Sequence, residues 1–364
     1  MKILSTSDLH IGINLGDYDR KHDVEESIAA VMDLITEHKP NMFVFAGDMF
    51  HSNRNLTENV KPYLELLNFL SAHVDQSYLL VGNHDLVEQK GKTHAMDAGE
   101  EFENVHIVST IESHHIGPEQ YLMLVPHVSR SKSDISPEEQ LASIPNCFVD
   151  YPESAKVYVF SHCNINAVDM GGQVLFKFNH HALPSEVINH PKVKYVFNGH
   201  FHKPVDGERL YIIGSPQRYT MDEKDDEKRV LLIDTDTDEV QSIPVPCRKM
   251  IEHNLDFISD FDATNNLYDL LMSEDYDANV CDFICKAVIK IKEEDMPKFD
   301  FKAFEARLNE IYGYVYKPHI LMQREKRIRI KELTTKDDPE DAIEKFCKEY
   351  DQDRLIERAK TYTG

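Results

Sequence analysis

Along the first two-thirds of the chain, short apolar runs alternate with longer stretches whose apolar residues recur every three to four positions. The runs are Ile3-Leu4, Met42-Phe43-Val44-Phe45-Ala46, Tyr78-Leu79-Leu80-Val81, Val157-Tyr158-Val159-Phe160 and Tyr195-Val196-Phe197. Unbroken apolar and β-branched runs of this kind read as strands buried on both faces. Between them, residues 24–38 carry Val24, Ile28, Val31, Met32 and Ile35 at helical spacing, and residues 60–70 repeat the device with Val60, Leu64, Leu67 and Phe69. The pattern predicts α/β layers over residues 1–245. After Gly199 it changes to short runs and tight turns at 210–213, 230–233 and 240–245, the last two joined by Thr235-Asp236-Thr237-Asp238. These predict an antiparallel meander that closes the domain.

Pro244 and Pro246 punctuate a boundary, and residues 246–330 repeat a smaller scheme. Strands are expected near 250–257, 282–292 and 314–322, with helices at 267–272 and 301–311. In the middle strand Phe283, Cys285, Ala287, Ile289 and Ile291 alternate with Lys286, Lys290 and Lys292. The reading is a small βαβαβ domain. Residues 331–364 form a charged tail with Ile343, Phe346, Cys347 and Tyr350 at i, i+3, i+4 and i+7. That stripe predicts a helix, packed either on its own domain or against a partner helix.

The five apolar runs end in residues that carry chemistry. They lead into Asp8-Leu9-His10, Gly47-Asp48, Gly82-Asn83-His84-Asp85, Ser161-His162 and Asn198-Gly199-His200-Phe201-His202. In α/β sheets ligands gather where strands end. Asp8, His10, Asp48, Asn83, His162, His200 and His202 at one sheet edge therefore predict one metal pocket. Oxygen and imidazole donors together favour Mn²⁺, Fe²⁺ or Zn²⁺ over Mg²⁺. Two divalent ions against two carboxylates leave positive charge for a phosphate, and such a pair clamps an in-line displacement at phosphorus. His84, next to Asn83, is the expected general acid. His51, three residues past Asp48, is a candidate for substrate contact. D-x-H, GD or H-x-H alone recurs by chance; all five motifs in this order do not.

Composition bounds the partners. With 41% apolar residues in 364, the chain can bury a sizeable core, and no stretch approaches a membrane span. A strand carrying a site motif comes directly after the first lysine, so a cleaved leader is not expected. Six scattered cysteines without a CxxC pair fit reduced thiols in a cytosol-like compartment. The formal charge of −24 argues against unaided, salt-driven binding to long nucleic acid. A polyanionic substrate must be attracted locally, by metal ions or a partner. Arg20, Lys21, Arg54, Lys90, Lys92, Arg130, Lys132 and Lys203 fall in loops beside the motif strands, and Arg54 is the first candidate for a contact with such a substrate.

The motifs D-x-H, GD, GNHD, H and GHxH in this order resemble the calcineurin-like metallophosphoesterase superfamily. Gly47-Asp48-Met49-Phe50-His51 is similar to the GD-x-F-H variant of its SbcD-type DNA repair and recombination nucleases, as is the Gly214-Ser215-Pro216-Gln217-Arg218 turn. The protein phosphatase branch has DRG after this Asp, which is absent here. In compact length the chain is most similar to the recombination endonuclease subunits of T-even-type tailed phages. The resemblance implies a four-layer αββα sandwich, a small βαβαβ DNA-capping domain at 246–330 and a helical tail that docks on an SbcC-type coiled-coil ATPase. It implies manganese, with magnesium as the alternative, bound by Asp8, His10, Asp48 and His202 on one side and Asp48, Asn83, His162 and His200 on the other. His84 would be the catalytic histidine and His51 would influence how duplex DNA is positioned. The implied activity is 3′→5′ exonuclease on duplex DNA and endonuclease on single strands, in the cytoplasm of a bacterium or phage-infected host, with the protein as a homodimer. No G-x-x-x-x-G-K-[ST] loop occurs, so ATP use would fall to the partner. The rival readings are a metallophosphatase or nucleotide phosphodiesterase acting on non-DNA substrates, and a non-catalytic scaffold; the complete donor set weighs against the scaffold.

Overall fold

The computed structural model describes residues 1–16, 18–52, 56–86, 95–97, 101–129, 135–165, 181–259, 261–273, 283–315 and 319–323. Two six-stranded sheets face each other. In the first, Lys2–Thr6, Met42–Phe45, Gln76–Leu80 and Val105–Val108 run parallel, and the hairpin Arg229–Asp234 and Glu239–Pro244 extends the edge beyond Lys2–Thr6. In the second, Leu210–Ile212, Val193–Asn198, Lys156–Ser161 and Gln120–Val125 run parallel, with antiparallel Val205–Asp206 and Glu112–Gly117 at the edges.

Side-chain alternation sorts the layers. Phe43 and Phe45 point to the helices Lys21–His38 and Leu56–His73, whereas Met42 and Val44 point to the second sheet. In the second sheet Tyr158 and Phe160 face inward, and Val157 and Val159 pack against the short helices Pro137–Ala142, Ile144–Cys147 and Ser185–Ile188. Every strand of this kind is covered on both faces, which is why its sequence is apolar without a break. Helix Lys21–His38 buries Val24, Ile28, Val31 and Ile35, and ends where Lys39 turns left-handed and its N–H returns to the Ile35 carbonyl at 2.9 Å. Helix Leu56–His73 buries Tyr63, Leu66, Leu67 and Leu70, so its buried stripe is offset from the expected one; Val60, Leu64 and Phe69 lie at the margin. The result is the expected αββα arrangement. Burying each large apolar side chain contributes about 1.5–3 kcal/mol, so the sandwich core far outweighs any single polar contact.

Two expectations need correction. The run at 210–213 does not join a meander with the later strands: Leu210–Ile212 belongs to the second sheet, and the Arg229–Asp234 hairpin to the first. The chain crosses between the sheets through residues 213–228. Likewise the five site strands do not share one sheet edge. Three end in the first sheet and two in the second, and the facing edges meet.

A third sheet has Phe283–Lys292 at its centre, with parallel Met250–Asp256 on one side. Gly313–Val315 and His319–Gln323, the described parts of the strand expected at 314–322, lie parallel along the other side. Cys285, Ala287, Ile289 and Ile291 pack on the helices Phe261–Met272 and Phe301–Tyr312, while Lys286 and Lys290 on the opposite face pair with Glu252 and Asp256. Against the sandwich, Met250, Ile284 and Tyr314 meet Leu15, Tyr18 and Met221. The expected tail at 331–364 lies outside the described residues. Among the described residues no helix is long and apolar enough to cross a membrane.

Candidate metal centre

The facing strand ends bring all seven predicted donors together in two overlapping groups. Asp8, His10 and His202 offer ligand atoms within 4.8 Å of one another, and so do Asp48, His162 and His200. Asp48 Oδ2 lies between them, 3.3 Å from His162 Nε2 and 3.9 Å from His10 Nε2. Asn83 Oδ1 completes the second group at 3.1 Å from His162 Nε2 and 3.0 Å from His200 Nδ1. In the first, His10 Nε2 and His202 Nε2 face each other at 3.1 Å.

The local backbone is bent to achieve this. Asp8, His10, Asp48 and His200 all have positive φ, between 45° and 71°. Non-glycine residues rarely adopt that region; each costs of order 1–3 kcal/mol and persists only where its surroundings enforce it. Here they do. The Tyr219 hydroxyl donates to the Asp8 and Leu9 carbonyls, the His200 N–H to Asp8 Oδ2, and the His84 N–H to Asp48 Oδ1. Gly47 has φ 93°, and a Cβ there would strike the His162 ring; a Cβ on Gly82 would strike the Asp48 carboxylate. Close approach explains both glycines.

The nitrogens that face away from the centre are held in three of the four ligand histidines. His162 Nδ1 lies 2.7 Å from the Ala46 carbonyl, His200 Nε2 lies 3.0 Å from Asn164 Oδ1, and His202 Nδ1 lies 3.3 Å from Glu223 Oε1. Each contact fixes a tautomer whose other nitrogen points to the centre. Asp8 Oδ1 and His10 Nδ1 are buried without a protein partner. A buried carboxylate oxygen without a donor, beside two imidazole nitrogens aimed at each other, is a poor arrangement for a protein alone. It fits a pair of divalent cations.

Electrostatics agree. Burial works against the Asp48 carboxylate, yet the charge of His162 holds it well below the usual carboxylate range. Burial likewise opposes charge on His162, but Asp48 lifts it to about 9. Burial and then His162 push His200 down to about 4, and burial drives His10 well below its ordinary value. Burial raises Asp8.

His84 sits where the sequence puts it. Its Nδ1 is 2.7 Å from the His51 carbonyl, and its ring stands edge-on to His10 and stacks on His51. Asp85 accepts N–H bonds from Gly82, Met49 and Phe50 and ties GNHD to the GD loop. Arg54 lies outside the described residues, as do Lys90, Lys92, Arg130 and Lys132. Arg20 is no surface cation: it is 1% exposed and ion-paired with Asp23. Sequence reasoning missed Asn164, Glu223 and His127. Asn164 repeats the i, i+2 spacing of the other ligand pairs and was findable; Glu223 ends a short 3-10 turn capped by Thr220, a local signal that says nothing of a metal centre. His127, held down to about 4 by burial and His162, comes after Gln120–Val125, a strand with no site motif.

Residues 1–204 match the calcineurin-like phosphoesterase family. The chain belongs to that family. Its members are metal-dependent phosphoester hydrolases that use two divalent ions, and the donor set above suits that chemistry. The chain is 25% identical over 290 residues to the DNA double-strand break repair protein Mre11 of Methanococcus maripaludis, spanning 73% of this chain and 74% of that protein. It is 22% identical over 317 residues to the Mre11 of Methanocaldococcus jannaschii, spanning 82% and 79%. Among solved structures it is similar to a dimetal phosphatase from Danio rerio at 12% identity, covering 68% of this chain and 99% of that one, with a TM-score of 0.43.

Proposed function

We propose that this chain is a DNA nuclease of the repair and recombination type, working as a 3′→5′ exonuclease on duplex ends and an endonuclease on single strands. The observation that carries the reading is Asp48 Oδ2 standing between two imidazole-bearing half-sites. The Mre11 relatives support the DNA substrate, and the match to 82% of the chain extends past the family segment ending at residue 204. Residues 246–330 are read as a capping domain for DNA, and residues 331–364 as the docking segment for a coiled-coil ATPase.

Asp8, His10, His202 and Asp48 would hold one ion, and Asp48, Asn83, His162 and His200 the other, with Mn²⁺ favoured by the nitrogen-rich set. When bound, the pair supplies positive charge that polarises a phosphodiester and lowers the pKa of an attacking water. The remaining work belongs to side chains. With His84 Nδ1 directed at the His51 carbonyl, Nε2 is the atom left to deliver a proton to the departing sugar oxygen. Asp85 keeps that loop in place. His51, stacked on His84, contacts the incoming strand.

The net charge of −24 favours a second reading, hydrolysis of small phosphoesters. One assay separates the two: end-labelled duplex DNA, circular single-stranded DNA and an aryl phosphate monoester, each with Mn²⁺ or Mg²⁺. Mn²⁺-dependent shortening of the duplex and opening of the circle are expected. Monoester turnover with both DNAs intact would overturn the nuclease reading.

A further inference from the structure

The crossover between the sheets, residues 213–228, carries a buried charge network that the hydrolytic reading does not use. Glu223 ends a short turn opened by Thr220, and both its oxygens are committed. Oε1 accepts from the Thr220 N–H at 3.2 Å and the Thr220 hydroxyl at 3.1 Å, and faces His202 Nδ1 at 3.3 Å. Oε2 accepts from Lys228 Nζ at 2.6 Å. Lys228 is itself fully buried and also donates to the His202 carbonyl at 2.9 Å and the Ser215 hydroxyl at 3.1 Å. One lysine therefore grips the backbone of His202 while its counter-ion grips the ring.

Neither charge is cheap to bury. A desolvated Lys–Glu pair is often no more stabilising than apolar side chains of the same volume, so stability alone is a poor reason for one here. Its placement offers a better one. Carboxylate contact at the outer nitrogen of a metal-facing histidine fixes the ring's tautomer and raises the basicity of the inner nitrogen. Among the described ligand histidines only His202 has such a carboxylate. His162 and His200 rest on a neutral carbonyl and a neutral amide, and His10 Nδ1 rests on nothing.

We infer that Glu223, locked by Lys228, is a positioning residue for His202 that selectively strengthens ion binding in the half-site of Asp8, His10 and His202. This rests on the reading that His202 is a ligand to one of two ions. It also gives the Gly214-Ser215-Pro216 turn a physical role, since the Ser215 N–H donates to the His202 carbonyl and its hydroxyl accepts from Lys228.

The test is calorimetric titration of the metal-free full chain with MnCl₂, and then electron paramagnetic resonance of the loaded protein. The wild type is expected to take up two ions with a spin-coupled signal. Glu223→Gln should leave one affinity unchanged, weaken the other about 10–100-fold, and replace the coupled signal with that of an isolated ion. If that variant does not fold because Lys228 is stranded, Glu223→Gln with Lys228→Met removes both charges and carries the same expectation. A folded variant with both affinities and the coupled signal intact overturns the role of Glu223. Absence of paired uptake by the wild type, or both affinities unchanged in His202→Ala, overturns the two-ion reading itself.

Discussion

The two halves of the centre use similar residues but are braced by different parts of the fold. Asp48, Asn83, His162 and His200 are steadied by near-neutral neighbours: the Ala46 carbonyl, the Asn164 amide and the loop N–H groups. Asp8, His10 and His202 depend on a charged network in the crossover and on the Tyr219 hydroxyl beneath the Asp8 loop. Both halves nevertheless divide protonation in the same way. Each pairs one imidazole that favours a proton, His162 or His202, with one that resists it, His10 or His200. The fold thus braces one half through backbone and amide geometry and the other through a buried, charged side-chain network.

Asp48→Ala should have the largest effect, because its Oδ2 serves both halves. Cleavage should vanish and neither half should keep wild-type affinity for Mn²⁺. One ion still bound at full strength would mean that the halves do not share Asp48. His84→Ala should lower kcat by roughly 10²–10⁴-fold while two ions remain bound, since His84 acts on the leaving group. Parallel loss of an ion would move His84 into the ligand set.

The third prediction concerns pH. Below about 9 the metal-free His162 holds a proton that an ion must displace, so Mn²⁺ affinity should climb by about tenfold per pH unit up to that point. The same raised value means that the His162–Asp48 pair stabilises the metal-free fold fully below about 6.5, the free-imidazole value, and that this contribution is lost as pH rises through about 9. Flat affinity between pH 6 and pH 9 would contradict a protonated His162. The smallest effect is expected from Gly47→Ala, about 1–3 kcal/mol of stability in urea denaturation, from the positive φ and the collision with the His162 ring. It should weaken the Asp48, Asn83, His162 and His200 half more than the other; equal weakening would blunt the contrast.

Much of the fold and the site was legible in the sequence. Strand ends at Thr6, Phe45, Leu80, Ser161 and Asn198 lie within two residues of where the apolar runs stop. The i, i+2 pairs put both side chains of Asp8/His10 and His200/His202 on the site. What periodicity does not encode is the partner of each strand. An unbroken run reports burial on both faces, not which sheet covers it, so the division of five strands between two sheets stayed hidden, as did the passage of 213–228 between them. The register shift between Val193 and Tyr195 was equally silent, although it puts Val193 and Val196 on one face. Glu223 and Lys228 were invisible for the same reason: their meaning comes from what lies opposite, not from what lies beside them.

The most direct test is anomalous diffraction from crystals soaked in MnCl₂. Two peaks roughly 3.5–4 Å apart are predicted. One should be bounded by Asp8, His10 and His202, the other by Asn83, His162 and His200, with Asp48 between them. A single peak, or one centred on the neighbouring trio His10, His51 and His84, would contradict the account.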